Sequence, residues 1–305
     1  MQKQDSAAPA TPSAAGAFVA LRSWVVASRP HTLTIGINPV LVGCALAWRE
    51  TGRINVAVML MSMFGALLLQ TGTNLDNDVS DFERGTDRAG RLGLLTPRQV
   101  RTASRGCFAL ATVIGVLLAW HGGWPIFVAG IASAAAAMSY SGGPRPISYT
   151  PFGDLVVWLF FGLVAVSGTY YLQTFGLDSS VFVAAAMVGM PAVAVLVVNN
   201  YRDLDPDRAV GKRTLAVCFG RRFSRWEYSV LVLAPFGLLG LLAAQTQMGA
   251  AQAIPLLALP IAIGLVRRFW RDPPGPAFNV LLAQTARLQV LFSVLLGVAI
   301  LLGRQ

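Results

Sequence analysis

Apolar residues in this chain come in long, nearly unbroken runs, not in the one-sided stripes of helices that pack on a soluble core. About 20 such residues carry an α-helix across the hydrocarbon of a bilayer. Runs of that order recur nine times, over 30–48, 54–74, 102–120, 124–140, 152–173, 181–200, 226–247, 250–266 and 278–302. Two polar connections, His121–Gly123 and Met248–Gly249, are short enough to predict antiparallel helical hairpins. Trp24, Trp48, Trp120, Trp124, Trp226 and Trp270 fall near predicted span ends, the depth that amphipathic rings prefer. The pattern predicts an all-α polytopic membrane protein, with about nine transmembrane helices in a single domain over 21–305. The Ala-, Pro- and Ser-rich segment 1–20 has no continuous apolar stretch and reads as a disordered tail, not a secretory signal.

Composition agrees with this pattern. Of 305 residues, 55% are hydrophobic and 12% charged. That balance leaves too little polar surface for a soluble globule and too much apolar surface for a disordered chain. The charge is lopsided, with 24 Lys and Arg against 14 Asp and Glu, a net +10. In a soluble protein this excess would point to nucleic acid; its distribution here points to the membrane. With the N-terminus in the cytoplasm, nine spans put 19 of the 24 basic residues on the cytoplasmic side. Three, Arg49, Arg53 and Arg304, fall opposite, while Arg105 and Arg287 lie inside spans. Positive loops stay inside, so the expected topology is N-in and C-out, with no nucleic-acid partner. Cys44, Cys107 and Cys218 are too far apart for a C-x-x-C metal or redox motif.

The acids carry the chemistry. Eight of the 14 fall in two short segments after the second and sixth spans: Asp76, Asp78, Asp81, Glu83 and Asp87, then Asp203, Asp205 and Asp207. Asn74 and Asp78 recur 125 positions later as Asn199 and Asp203. If the helices continue through these motifs, Asn74, Asp78 and Asp81 share one face, and so do Asn199, Asp203 and Asp207. Duplicated carboxylates beside cations suit a hard divalent metal, with Mg²⁺ held by carboxylates and substrate phosphates together. The expected metal residues are Asp78, Asp81, Asp203, Asp207 and Asn74. Lys212, Arg145 and Arg202 are the expected diphosphate contacts, with Arg213 nearby and Asn77 and Asn199 assisting. Tyr140 and Tyr149 flank a Gly-Gly-Pro-Arg-Pro turn; their rings could face a carbocation or anchor the interface. Asp87 is open between a site role and pairing with Arg88 or Arg91. Asp76 and Asp205 read as surface acids.

At these residues the chain resembles the UbiA superfamily of intramembrane prenyltransferases. Asn77-Asp78 through Asp81 and Arg202-Asp203 through Asp207 look like its two aspartate-rich motifs. Arg29-Pro30 through Leu33, Tyr140 through Tyr149, Phe161 through Gln173 and Gly211 through Leu215 are similar to the MenA branch, which prenylates 1,4-dihydroxy-2-naphthoate. Val79 departs from the pattern, since an aromatic commonly follows Asn-Asp. The resemblance implies nine helices around a central cavity, set in a bacterial inner membrane. It also implies Mg²⁺-assisted ionisation of a polyprenyl diphosphate and attack by the naphthoate ring with loss of CO2, giving demethylmenaquinol. Another aromatic acceptor, such as 4-hydroxybenzoate, is an open alternative, as is a secondary transporter, whose acids would lie at mid-membrane depth.

Overall fold

The computed structural model describes residues 22–84 and 95–303. The expected tail over 1–20 and Asp87, with its candidate partners Arg88 and Arg91, lie outside these residues. Nine helices among the described residues are long and apolar enough to span a membrane. They are α1 (Pro30–Thr51), α2 (Val56–Glu83), α3 (Pro97–Gly122), α4 (Trp124–Ser141), α5 (Gly153–Thr174), α6 (Ser179–Arg202), α8 (Leu215–Thr246), α9 (Gly249–Arg271) and α10 (Ala277–Leu302). A short helix, α7 (Leu204–Ala209), lies between α6 and α8. No strand occurs among the described residues.

Local sequence sets the ends. Asn55 caps α2 by accepting from the Val58 amide, Asp178 caps α6, and Thr214 caps α8 by accepting from the Val217 amide. Thr96 and Gln99 form a reciprocal capping box on α3, satisfying donors that the first helical turn leaves open. The α3–α4 hairpin turns at Gly123, whose φ of 74° suits a residue without a Cβ. Trp120 and Trp124 stand exposed on either side of it.

α6 is the most buried span and forms the axis of the bundle. One side of the core joins α1, α5, α6, α8 and α10 through residues such as Val42, Val166, Met187, Leu242 and Phe292. A second cluster stacks Tyr201, Tyr228, Phe269 and Phe278, with ring centroids 4.1–5.4 Å apart. α5 contains a π-helical segment, Leu159–Val164, where it crosses α6. There Gly162 and Gly189 bring the backbones together: a Cβ on Gly162 would lie 2.7 Å from the Ala185 carbonyl oxygen, and one on Gly189 would lie 2.9 Å from the Gly162 Cα.

Two elements depart from the sequence expectation. α8 begins at Leu215 rather than near Trp226, and kinks at Gly220. Its first turns carry Arg221, Arg222 and Arg225, so hydropathy marks only the apolar remainder. Helix α6 does not run on through Asp207. It stops at Arg202, with Asp203 as its C-cap, and α7 restarts the helix. The Asp207 amide still donates to the Asp203 carbonyl at 2.8 Å, so the two residues keep their i, i+4 relation. α2, in contrast, is continuous through Glu83.

Candidate active site

Side-chain contacts sort the helix ends into two levels. Arg84 reaches the Ser141 and Gly143 carbonyls, the Arg213 amide donates to the Tyr149 carbonyl, and Arg202 reaches Asn279. The ends of α2, α4, α6 and the start of α10 therefore share one level. Gln173 bonds the Asn55 backbone, and Arg49 bonds the Thr246 and Ile300 carbonyls, at the other level. Both acidic motifs belong to the first level.

A cavity of about 1140 Å³ opens there among α1–α6 and α10. Asn77, Asp81, Asn199, Asp203, Asp207 and Lys212 line its polar end, together with Arg29, Asn74 and Arg202. Phe160, Phe161, Val195, Leu118, Ile126 and Leu172 line its apolar length. Along α2 alone, lining residues run from Asp81 back to Ser62, about 28 Å at the helical rise.

The polar end is braced by its own charges. Arg202 chelates both Asp203 oxygens, Nε to Oδ1 at 2.8 Å and Nη2 to Oδ2, and also donates to Asn199 Oδ1 and Asn279 Oδ1 at 2.6 Å each. Lys212 Nζ lies 3.2 Å from Asp207 Oδ1, and its amide donates to the Asp207 carbonyl at 3.0 Å. Burial pushes the Asp207 carboxyl above the usual range; Lys212 opposes this, while the negative charges of Asp203 and Asp81 reinforce it. Both motifs thus act on one carboxylate. Lys212 is held over the Tyr149 ring, 4.9 Å from its centroid, with the Arg84 guanidinium 5.0 Å from the same ring.

Several expected residues take other places. Asp78 is buried, accepts from Arg29, and is not among the cavity-lining residues. Asn74 lines the cavity, but its amide nitrogen is committed to the Ser28 carbonyl and Thr32 Oγ1, both at 3.0 Å. Together, Asp78 and Asn74 tie the segment before α1 to α2. Tyr140 lines the cavity, whereas Tyr149 does not and serves as the platform under Lys212 and Arg84. Arg145, expected at the diphosphate, is exposed and is not among the cavity-lining residues. Asp205 is exposed and paired with Arg221 at 2.8 Å, as a surface acid should be. Asp76 is half-buried, with an oxygen that has no hydrogen-bond partner, so it is not the surface acid expected. Val79 fills a small core with Ala27, Leu75, Leu95 and Val100. Sequence reasoning missed Asp154, a buried cavity-lining acid whose Oδ1 has no hydrogen-bond partner. The signal was available: it is the one acid inside the 152–173 apolar run.

The donor set suits a hard cation. The polar end offers carboxylate and amide oxygens, with no His or Cys among the lining residues. No three acidic, His or Cys residues among the described ones close into a ready-made metal cage. Such a site leaves coordination positions for phosphate oxygens and water, the usual arrangement for Mg²⁺.

A nine-helix membrane domain whose two acidic motifs converge on one amphipathic cavity matches one family model over residues 37–284, that of the UbiA prenyltransferase family, and the chain belongs to this family. Among curated relatives, it is 34% identical over 288 residues to the 1,4-dihydroxy-2-naphthoate octaprenyltransferase of Mycobacterium leprae, covering 92% of this chain and 96% of the relative. It is 30% identical to the Haemophilus influenzae enzyme of the same name, covering 93% and 97%. The fold is similar to that of a UbiA homologue from Archaeoglobus fulgidus bound to DMAPP and Mg²⁺, with a TM-score of 0.65 at 14% identity, covering 92% of this chain and 99% of that one.

Proposed function

We infer that this membrane enzyme transfers a polyprenyl group from polyprenyl diphosphate to 1,4-dihydroxy-2-naphthoate. Diphosphate and CO2 are released, giving demethylmenaquinol for menaquinone biosynthesis. The observation that carries the reading is the cavity of about 1140 Å³, whose lining runs about 28 Å along α2, cationic and carboxylate-lined at one end and largely apolar over the rest. It suits a substrate with a diphosphate head and a hydrocarbon tail. The family, and relatives named for the naphthoate reaction over nearly their whole length, support the acceptor.

Mg²⁺ is the proposed metal; bound with the diphosphate, it would neutralise charge on the leaving group. Asp81, Asp203 and Asp207 are its proposed protein ligands, with Asn77 and Asn199 as oxygen donors beside them. Lys212 would donate to the diphosphate from its seat over Tyr149, and Arg202 would fix Asp203 in place. Arg29 and Asp78 would hold the first segment of the chain against α2. Tyr140, at the cavity wall, would present its ring to the allylic cation. Once the C–O bond to diphosphate has broken, the naphthoate ring carbon bonds to the allylic cation, and the ring carboxylate leaves as CO2, its bonding pair returning to the ring. The polar end is proposed to face the cytoplasm.

The test is an incubation of reconstituted protein with Mg²⁺, a polyprenyl diphosphate and a panel of ring acceptors. Release of CO2 from carboxyl-labelled naphthoate, in step with prenylated product, is expected. It should stop with a chelator and return with Mg²⁺. Prenylation of 4-hydroxybenzoate in preference to the naphthoate would overturn the acceptor.

A further inference from the structure

Apart from the cavity, α9 and α10 enclose a groove of about 810 Å³. Its lining carries four arginines: Arg267, Arg268 and Arg271 from the end of α9, and Arg287 from α10. The two helices are joined by the short connection 272–276. Arg202 reaches Asn279 near the start of α10, so the groove opens at the same membrane level as the acidic motifs.

The arginines are unequally neutralised. Arg268 and Arg271 share Asp272, at 3.4 and 3.0 Å, and Arg268 also donates to Gln284 at 2.5 Å. Arg267 and Arg287 are exposed and form no hydrogen bond or ion pair among the described residues. Their depths are unusual. Arg267 lies four residues from the end of α9, about 6 Å inward; Arg287 lies ten residues into α10, about 15 Å inward. A lipid-facing cation at that depth is costly, and such residues otherwise pair or reach for the interface. Ile261, which is exposed, and Leu291 line the same groove and offer an apolar wall.

We propose that this groove binds an anionic phospholipid, its headgroup phosphate held by Arg267 and Arg287 and an acyl chain lying along Ile261 and Leu291. Basic pockets between membrane helices take such headgroups, and guanidinium forks suit phosphate oxygens. Asp272 already pairs with Arg268 and Arg271, nearest the water, so the deeper Arg267 and Arg287 receive the lipid. The site shares no lining residue with the prenyl-transfer cavity, and its occupant stabilises the α9–α10 pair.

The test uses purified full-length protein in neutral detergent, titrated with phosphatidylglycerol, phosphatidylcholine or inorganic phosphate, and read by native mass spectrometry and by Tm. Phosphatidylglycerol should bind and raise Tm more than phosphatidylcholine. In the Arg267→Gln/Arg287→Gln variant its affinity should fall about 25-fold, close to fivefold per arginine at about 1 kcal/mol each. Arg267→Lys/Arg287→Lys should keep most of the binding, and it serves if the glutamine variant does not fold. Arg98→Gln/Arg222→Gln makes the same change of charge elsewhere and should bind normally. Equal binding of the two lipids, an equal loss in the Arg98/Arg222 variant, or inorganic phosphate matching the lipid would each overturn the proposal.

Discussion

Asp207 is the residue on which both acidic motifs converge. Burial, Asp203 and Asp81 hold its proton more tightly than in the unfolded chain, with Lys212 pulling the other way. The native state therefore binds more protons there, and metal-free protein should lose stability as pH rises from the ordinary Asp range through the raised value. Asp207→Asn should flatten that slope of Tm against pH, and Lys212→Met should move it to higher pH. For turnover, Asp81→Ala and Asp203→Ala should each lower the rate by at least a hundredfold in protein that still inserts and folds; residual activity above a tenth would remove them from the site. Asp154 gives a different signature. Its carboxyl is buried with an unpartnered oxygen, and Asp154→Asn removes the buried charge, so it should raise stability by about 1 kcal/mol while slowing turnover, seen as a higher Tm with a lower kcat. Much of this chemistry was legible because carboxylates are rare in apolar sequence and their spacing survives folding. The exchange of roles was not. Whether Asp78 meets a ligand or Arg29, and whether Tyr149 faces substrate or carries Lys212, depends on partners 49 and 63 positions away.

The nine spans were readable because bilayer thickness imposes a length that hydropathy reports directly. Breaks inside a helix are marked less evenly. The interruption at Asp203 has a marker in Pro206, whose ring meets the carbonyl of Arg202 four residues back, whereas the π-helical turn at Leu159–Val164 leaves the apolar run looking the same with or without it. The π turn matters for the cavity, since Phe160, Phe161 and Val164 line it from there. It also matters for packing, because Gly162 meets Gly189 across the α5–α6 contact. Gly162→Ala and Gly189→Ala should each cost about 1–3 kcal/mol by forcing the helices apart. The double variant should cost less than the two together, since one methyl already opens the gap the other needs. Denaturant unfolding in mixed micelles would measure all three.

For the whole molecule, the contacts fix which helix ends share a level, while the charge bias proposes which level is cytoplasmic. Arg145→Cys at one level and Gly52→Cys at the other, in a background with Cys44, Cys107 and Cys218 replaced, separate the two orientations. A membrane-impermeant thiol reagent should label Gly52→Cys from outside intact cells and leave Arg145→Cys untouched until the membrane is opened. The reverse pattern would invert the topology. The cavity itself was foreseeable only as a meeting of two motifs; its apolar arm is lined by residues from seven helices, and no single segment carries its shape. That arm also changes what substrate concentration means for this enzyme. A prenyl donor that dissolves in the bilayer reaches the cavity from a two-dimensional solvent, so its availability is a mole fraction of lipid, not an amount per litre. Diluting the membrane with inert lipid at constant bulk substrate should slow the reaction as effectively as withholding the donor.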